Sequence, residues 1–127
     1  MKCKTVTQNK SIKQLTSSLI DYIEKLEQTF YQHEAVDMNS KSAFEFVKEE
    51  TEPIFEVLET WEKLTLKKIE QRKISLPTSM VESTVDNMSA LIMHSYYKDV
   101  RKRRYMEIKK SLLYVLRMLL KELRNDD

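Results

Sequence analysis

Glycine is missing altogether: none of the 127 residues is one, where average usage of about 7% would supply roughly nine. Turns that need a positive φ, β-bulges and close approach of backbone to a ligand are therefore not expected. Neither a Walker-type loop nor a dinucleotide fingerprint can be written without glycine, because both press backbone N–H groups against an anion with no Cβ in the way. Cysteine is scarce too. Cys3 is the only one, so an intramolecular disulfide is excluded and a redox role would need a partner chain. No apolar run approaches the about 20 residues of a spanning helix, and the stretch Met1 to Lys10 has no apolar h-region. Neither a membrane segment nor a secretory or lipoprotein leader is expected, and a cytoplasmic location follows as the expectation.

What is present is 41% apolar and 33% charged, a balance that supports one domain with one core. Residues 1–127 read as a single helical-bundle domain, with 1–9 and 125–127 frayed. The net charge is +2, unevenly spread. An acidic block, Glu45, Glu49, Glu50, Glu52, Glu56, Glu59 and Glu62, precedes a basic one, Arg101, Lys102, Arg103, Arg104, Lys109 and Lys110.

Four segments repeat apolar residues at i, i+3, i+4 and i+7, the mark of amphipathic helices. The first spans about Lys10 to Glu34, with Ile12, Leu15, Leu19, Tyr22, Ile23, Leu26 and Phe30 on one stripe. It ends in Val36-Asp37-Met38-Asn39-Ser40, where Asp, Asn and Ser supply turn and capping groups in place of glycine. The second spans about Lys41 to Lys73, centred on Val47, Ile54, Leu58, Trp61 and Thr65, with Phe44, Leu64 and Ile69 flanking. Pro53 removes a backbone donor inside it and predicts a kink, or a split with Thr51 capping the longer piece. Past Leu76-Pro77-Thr78, Ser79 and Glu82 read as a capping box for a third helix with Val81, Val85, Met88, Ile92 and Tyr96 inward. Asp99 is the predicted N-cap of a fourth, about Val100 to Arg124, with Ile108, Leu112, Val115, Leu116, Leu119 and Leu123 inward. Short connections between long helices predict an all-α, antiparallel up-and-down four-helix bundle.

Ser95-Tyr96-Tyr97, Lys102-Arg103-Arg104-Tyr105, Ile108 and Ser111-Leu112-Leu113-Tyr114-Val115-Leu116, with Asp86-Asn87 upstream and the proline-interrupted second helix, resemble the YppE-like family. The resemblance runs over about residues 42 to 124 and weakens in the first helix. It implies a small cytosolic protein of low-GC Gram-positive bacteria, a four-helix bundle and no assigned biochemical function. It carries no catalytic or binding residue across.

The chemistry-bearing residues point to few sites. A two-metal bundle site needs inward Glu-x-x-His pairs, and neither His33 nor His94 stands in one. No metal and no cofactor is expected. Serine and cysteine nucleophiles lack a base in any local motif, so the chain reads as non-enzymatic. The aromatics Tyr22, Phe30, Phe44, Phe55, Trp61, Tyr96 and Tyr105 read as core, and Met80, Met88, Met93, Met106 and Met118 as gap-fillers. Two features remain. Met106, Leu113 and Leu120 form a second apolar line on the fourth helix, a candidate surface for an unidentified protein partner or for self-association. Arg101 to Arg104 crowd cations into a first turn whose dipole opposes them, which asks for compensation by the acidic block, by an acidic partner or by phosphate. With Lys109 and Lys110 they form a candidate anion patch, and nucleic-acid binding is the second functional reading behind protein interaction. No membrane partner is expected.

Overall fold

The computed structural model describes residues 10–32, 34–37 and 39–124. The ends expected to fray, Cys3, His33 and Met38 lie outside the described residues. Four helices follow one another: α1 (Ile12–Gln32), α2 (Lys41–Glu70), α3 (Thr78–Tyr97) and α4 (Lys102–Arg124). They run up, down, up and down, each against the next, with α4 closing back on α1. The α1 and α3 helices also touch across the bundle, whereas α2 and α4 stand at opposite corners with scarcely any contact. The section is therefore a rhombus with α1 and α3 on its short diagonal.

Each helix buries the stripe its sequence spells. Leu15, Leu19 and Ile23 of α1, Trp61 of α2, Val81, Met88, Leu91 and Ile92 of α3, and Leu116 and Leu119 of α4 are fully enclosed in one cluster. A large apolar side chain taken wholly out of water contributes about 1.5–3 kcal/mol. Trp61 is the largest of them, and its indole Nε1–H donates to Thr16 Oγ1 at 3.1 Å. That hydroxyl in turn donates to the Ile12 carbonyl at 2.7 Å, so the polar edge of the indole is satisfied inside an apolar core.

The helix ends depart from expectation in instructive ways. Ser11 caps α1 reciprocally, its Oγ accepting from the Gln14 N–H at 3.2 Å while Gln14 Oε1 accepts from the Ser11 N–H at 3.0 Å. This is the capping-box geometry predicted for Ser79 and Glu82, which does not form there. Pro77 takes the N-cap position of α3 with no side-chain cap bond, because its fixed φ of −65° launches the helix directly and draws Ser79 into the first turn. Asp99 does not cap α4 either, since the helix starts three residues later. Ser40 caps α2 as expected, accepting from the Ala43 N–H at 3.2 Å. The α2 helix runs unbroken through Pro53, so the predicted split does not occur. Pro53 and Glu49 are both exposed, and the Glu49 carbonyl deprived of its donor faces water instead of the core.

Positive φ does occur, without glycine. Arg72 at 60° and Lys98 at 53° adopt the left-handed conformation just past α2 and α3. Each bends its N–H back into the last turn, Arg72 onto the Ile69 carbonyl at 2.9 Å and Lys98 onto the His94 carbonyl at 2.8 Å. The steric cost of about 1–2 kcal/mol for a residue with a Cβ is partly offset by placing a cation at the negative end of the helix dipole. Two ties then hold the connections to the bundle: the Val36 N–H donates to the Tyr96 carbonyl, and the Ser75 N–H and hydroxyl both donate to Glu122 Oε2.

Three stability measurements follow from this packing. Trp61→Ala should cost about 3–5 kcal/mol in denaturant melts, and Thr16→Val about 1–3 kcal/mol by stranding the indole donor; a Thr16→Val protein as stable as the parent would show that the bond contributes nothing. Lys98→Gly should raise stability by about 0.5–1 kcal/mol, because it relieves the left-handed backbone.

Candidate functional site

The hydroxyls enclosed within the bundle with bonding partners are engaged in holding it together. Ser95 Oγ donates to the Leu91 carbonyl at 2.7 Å and lies 2.6 Å from the Tyr105 hydroxyl, which joins α3 to α4. The Tyr105 ring stacks on Phe30 of α1 with centroids 3.9 Å apart. Burial pushes the Tyr105 hydroxyl up to about 12, opposed by its bond to Ser95 and assisted by Glu27. Burial raises Tyr96 as well, with Glu50 adding to it. Thr84 donates to the Met80 carbonyl at 2.7 Å. These groups are structural fasteners. His94, at the end of α3, sits 2.6 Å through Nδ1 from Asp99 Oδ1. That contact is what Asp99 does instead of capping α4. Among the described residues no three His, Cys, Asp or Glu side chains gather where they could hold a metal ion.

The basic start of α4 lies fully at the surface, with Arg101, Lys102, Arg103 and Arg104 all exposed. Of the three sources of compensation, the acidic block, with Glu49, Glu52 and Glu56, does not reach these cations, because α2 occupies the opposite corner of the bundle. The acid is local: Glu107 approaches Arg103 Nε at 3.9 Å and Arg104 Nη1 at 3.6 Å. Such exposed pairs contribute little. Lys102 Nζ stands 5.2 Å from the Tyr31 ring centroid. Lys109 turns inward to Glu27 Oε1 at 2.6 Å, a half-buried link between α4 and α1, while Lys110 stays exposed.

The line of Met106, Leu113 and Leu120 is half-buried throughout. Tyr31 of α1 donates its hydroxyl to Met106 Sδ at 3.4 Å, and Leu113 shares a groove with Glu27, Tyr31 and Lys109. This flank is turned toward α1. The apolar side chains that α4 leaves in water are its neighbours, Tyr114 at 66% exposure and Met118 at 37%. They form a shallow surface with Lys110, Leu113, Arg117 and Lys121. Beside it a groove of about 640 Å³ runs between α3 and α4, floored by Thr84 and Val115. Met118 is thus no gap-filler. Phe44, expected to flank the core, is likewise exposed, at 55%, and Phe46 two residues on at 52%; of the two only Phe46 meets another ring, edge-on to Tyr96.

The resulting site is the outer face of α4: Tyr114 and Met118 set among Arg103, Lys110, Arg117 and Lys121, all exposed. One signal for it stood in the sequence. Arg103, Lys110 and Arg117 recur at seven-residue intervals, a period that keeps side chains on one face of a helix, but adjacent cations at 101 to 104 obscured it.

The family described as a bacterial domain of unknown function (DUF1798) matches residues 16–123. The uncharacterized protein YppE of Bacillus subtilis (strain 168) is 26% identical over 120 residues, spanning 94% of this chain and 97% of that protein. The crystal structure of YppE superposes with a TM-score of 0.76 at 22% identity, over 91% of this chain and 94% of that one. Its solution NMR structure gives 0.70 at 22% identity, over 94% and 97%. These likenesses show the fold.

The Tyr105 geometry carries its own test. A tyrosine whose folded pKa is raised from 10 to about 12 stabilises the fold fully below pH 10 and loses that contribution as pH rises toward 12. Alkaline melts should lose up to about 2 kcal/mol from this group over that interval. Tyr105→Phe should be less stable at neutral pH, for want of the Ser95 bond, yet show a flatter alkaline limb; an unchanged limb would place the alkaline sensitivity elsewhere.

Proposed function

The chain belongs to the DUF1798 family, and on that footing we propose that it is a non-enzymatic interaction module of the cytoplasm, docking through the outer face of α4. The observation that carries this reading is the exposure of Tyr114 and Met118 side by side on one face of α4, among four exposed cations. Aromatic and methionine side chains beside arginine are the composition of interface centres. The non-enzymatic part draws support from Ser95, Thr16 and Thr84, whose hydroxyls are committed to structural bonds. A partner fitting this face presents an acidic helical segment with apolar side chains between its carboxylates. The second reading, weak phosphate or nucleic-acid binding at the start of α4, draws on the full exposure of Arg101 and Arg103. Net charge of only +2 gives little long-range pull on a polyanion.

A labelled, designed helical peptide with glutamates every seven residues, titrated beside duplex DNA at physiological salt, separates the two. The peptide should bind, and Tyr114→Ala with Arg117→Glu should weaken it by about tenfold or more. Tighter binding of the duplex, lost on changing Arg101, Arg103 and Arg104 to Ser, would favour the phosphate reading; binding of neither probe would overturn the interaction module.

A further inference from the structure

The α4 face has a counterpart on the same chain. Glu45, Glu52 and Glu59 recur every seven residues on the outer side of α2, as Arg103, Lys110 and Arg117 do on α4, and all six are exposed. At about 1.5 Å per residue each trio draws a line of about 21 Å along its helix. The lines agree in length and period and are opposite in sign. Within one molecule they cannot meet, because α1 and α3 fill the short diagonal between them.

We propose that the α4 face docks on the α2 face of a second copy, the two helices antiparallel, with Arg117 beside Glu45, Lys110 beside Glu52 and Arg103 beside Glu59. This rests on the reading of α4 as a docking face and names its occupant. The direction follows from the apolar side chains. Phe44 and Phe46 stand about 100° to either side of Glu45, Phe46 on the flank where it meets Tyr96, and Tyr114 and Met118 lie beside Arg117, all four exposed in the single chain. Antiparallel docking brings Tyr114 and Met118 to the end of α2 where a phenylalanine flanks the acidic line; parallel docking would set that phenylalanine against Arg103 and Arg104 and carry Tyr114 and Met118 toward Glu56 and Thr60. Opposed helix dipoles favour the same direction. The acidic line stops at Lys63, one turn past Glu59, so a longer slide along α2 brings like charges together. Since the two faces point away from each other at opposite corners, a two-fold dimer cannot use both. The contact is heterologous, and copies join head to tail into a ring or an open chain.

Sedimentation velocity of the full chain over a concentration series is the test. At low salt the average mass should rise with concentration, and added salt should reverse the rise by screening exposed pairs. Glu52→Lys and Lys110→Glu should each abolish association, and an equal mixture of the two variants should recover it. Glu45→Arg should be rescued by Arg117→Glu and not by Arg103→Glu. A chain that stays monomeric at every concentration and salt, or whose association ignores both reversals, overturns the proposal; rescue through Arg103→Glu overturns its antiparallel register. Circular dichroism of each variant separates lost docking from lost folding, and the parent protein's salt series needs no variant. If the chain stays monomeric yet still binds the acidic peptide, self-docking fails and the interaction module stands; if both fail, both are overturned.

Discussion

Contact between α1 and α3 across the short diagonal is the constraint on which the rest of the bundle depends. It gives each of these helices three neighbours in place of two, and the core follows. Two polar links hold α1 in the same frame: the Trp61 indole bonded to Thr16 from one side and Lys109 bonded to Glu27 from the other. Because α1 and α3 are drawn together, α2 and α4 are driven apart, and each keeps a broad face in water. The acidic and basic blocks of the sequence ride on those two faces. Their separation in space is a consequence of how the apolar stripes pack and not of any property of the charges.

Doing without glycine shapes the connections. Every reversal of direction is made by residues that carry a Cβ, and among the described residues the left-handed positions fall to Arg72 and Lys98. Both sit where a helix dipole ends, so a basic side chain recovers part of what the backbone conformation costs. The loops are further pinned by bonds to remote helices, Val36 to Tyr96 and Ser75 to Glu122. These long-range ties do the work that turn chemistry does in glycine-containing hairpins. The inference that a glycine-free chain avoids positive φ was therefore too strong: absence of glycine raises the cost of such positions, and helix C-termini are where that cost is best met.

The functional face emerges from the same geometry. Residues flanking the buried stripe of α4 divide into those turned toward α1, Met106, Leu113 and Lys109, and those further round, Tyr114 and Met118, that stay exposed, with Arg117 at the rim of the α1 groove. A rotation of about 100° per residue separates a packed flank from a free surface. Several hydroxyls in the interior, by contrast, are tied to their neighbours, with Ser95 shared between a carbonyl of its own helix and the Tyr105 hydroxyl of the next.

Periodicity in the sequence by itself determined the four helices, the stripe each buries, the central place of Trp61 and the ends of α2 to within a few residues, because amphipathic spacing and capping are local properties of the chain. It also held the seven-residue cation and carboxylate intervals in plain view. What it did not hold was the partner of each face. Thr84, Leu91 and Ser95 were missed as core because α3 packs against three helices and buries a wider arc than a single stripe. Asp99 was misread as a cap because its true partner, His94, is in reach only once α3 ends in a left-handed turn. Phe44 and Met118 were misplaced because exposure depends on whether a neighbouring helix arrives, and a helix cannot encode its own neighbours. Only the tertiary structure decided that α2 and α4 stand at opposite corners: that choice depends on how four stripes share one core, a packing problem that has no solution within any one of them.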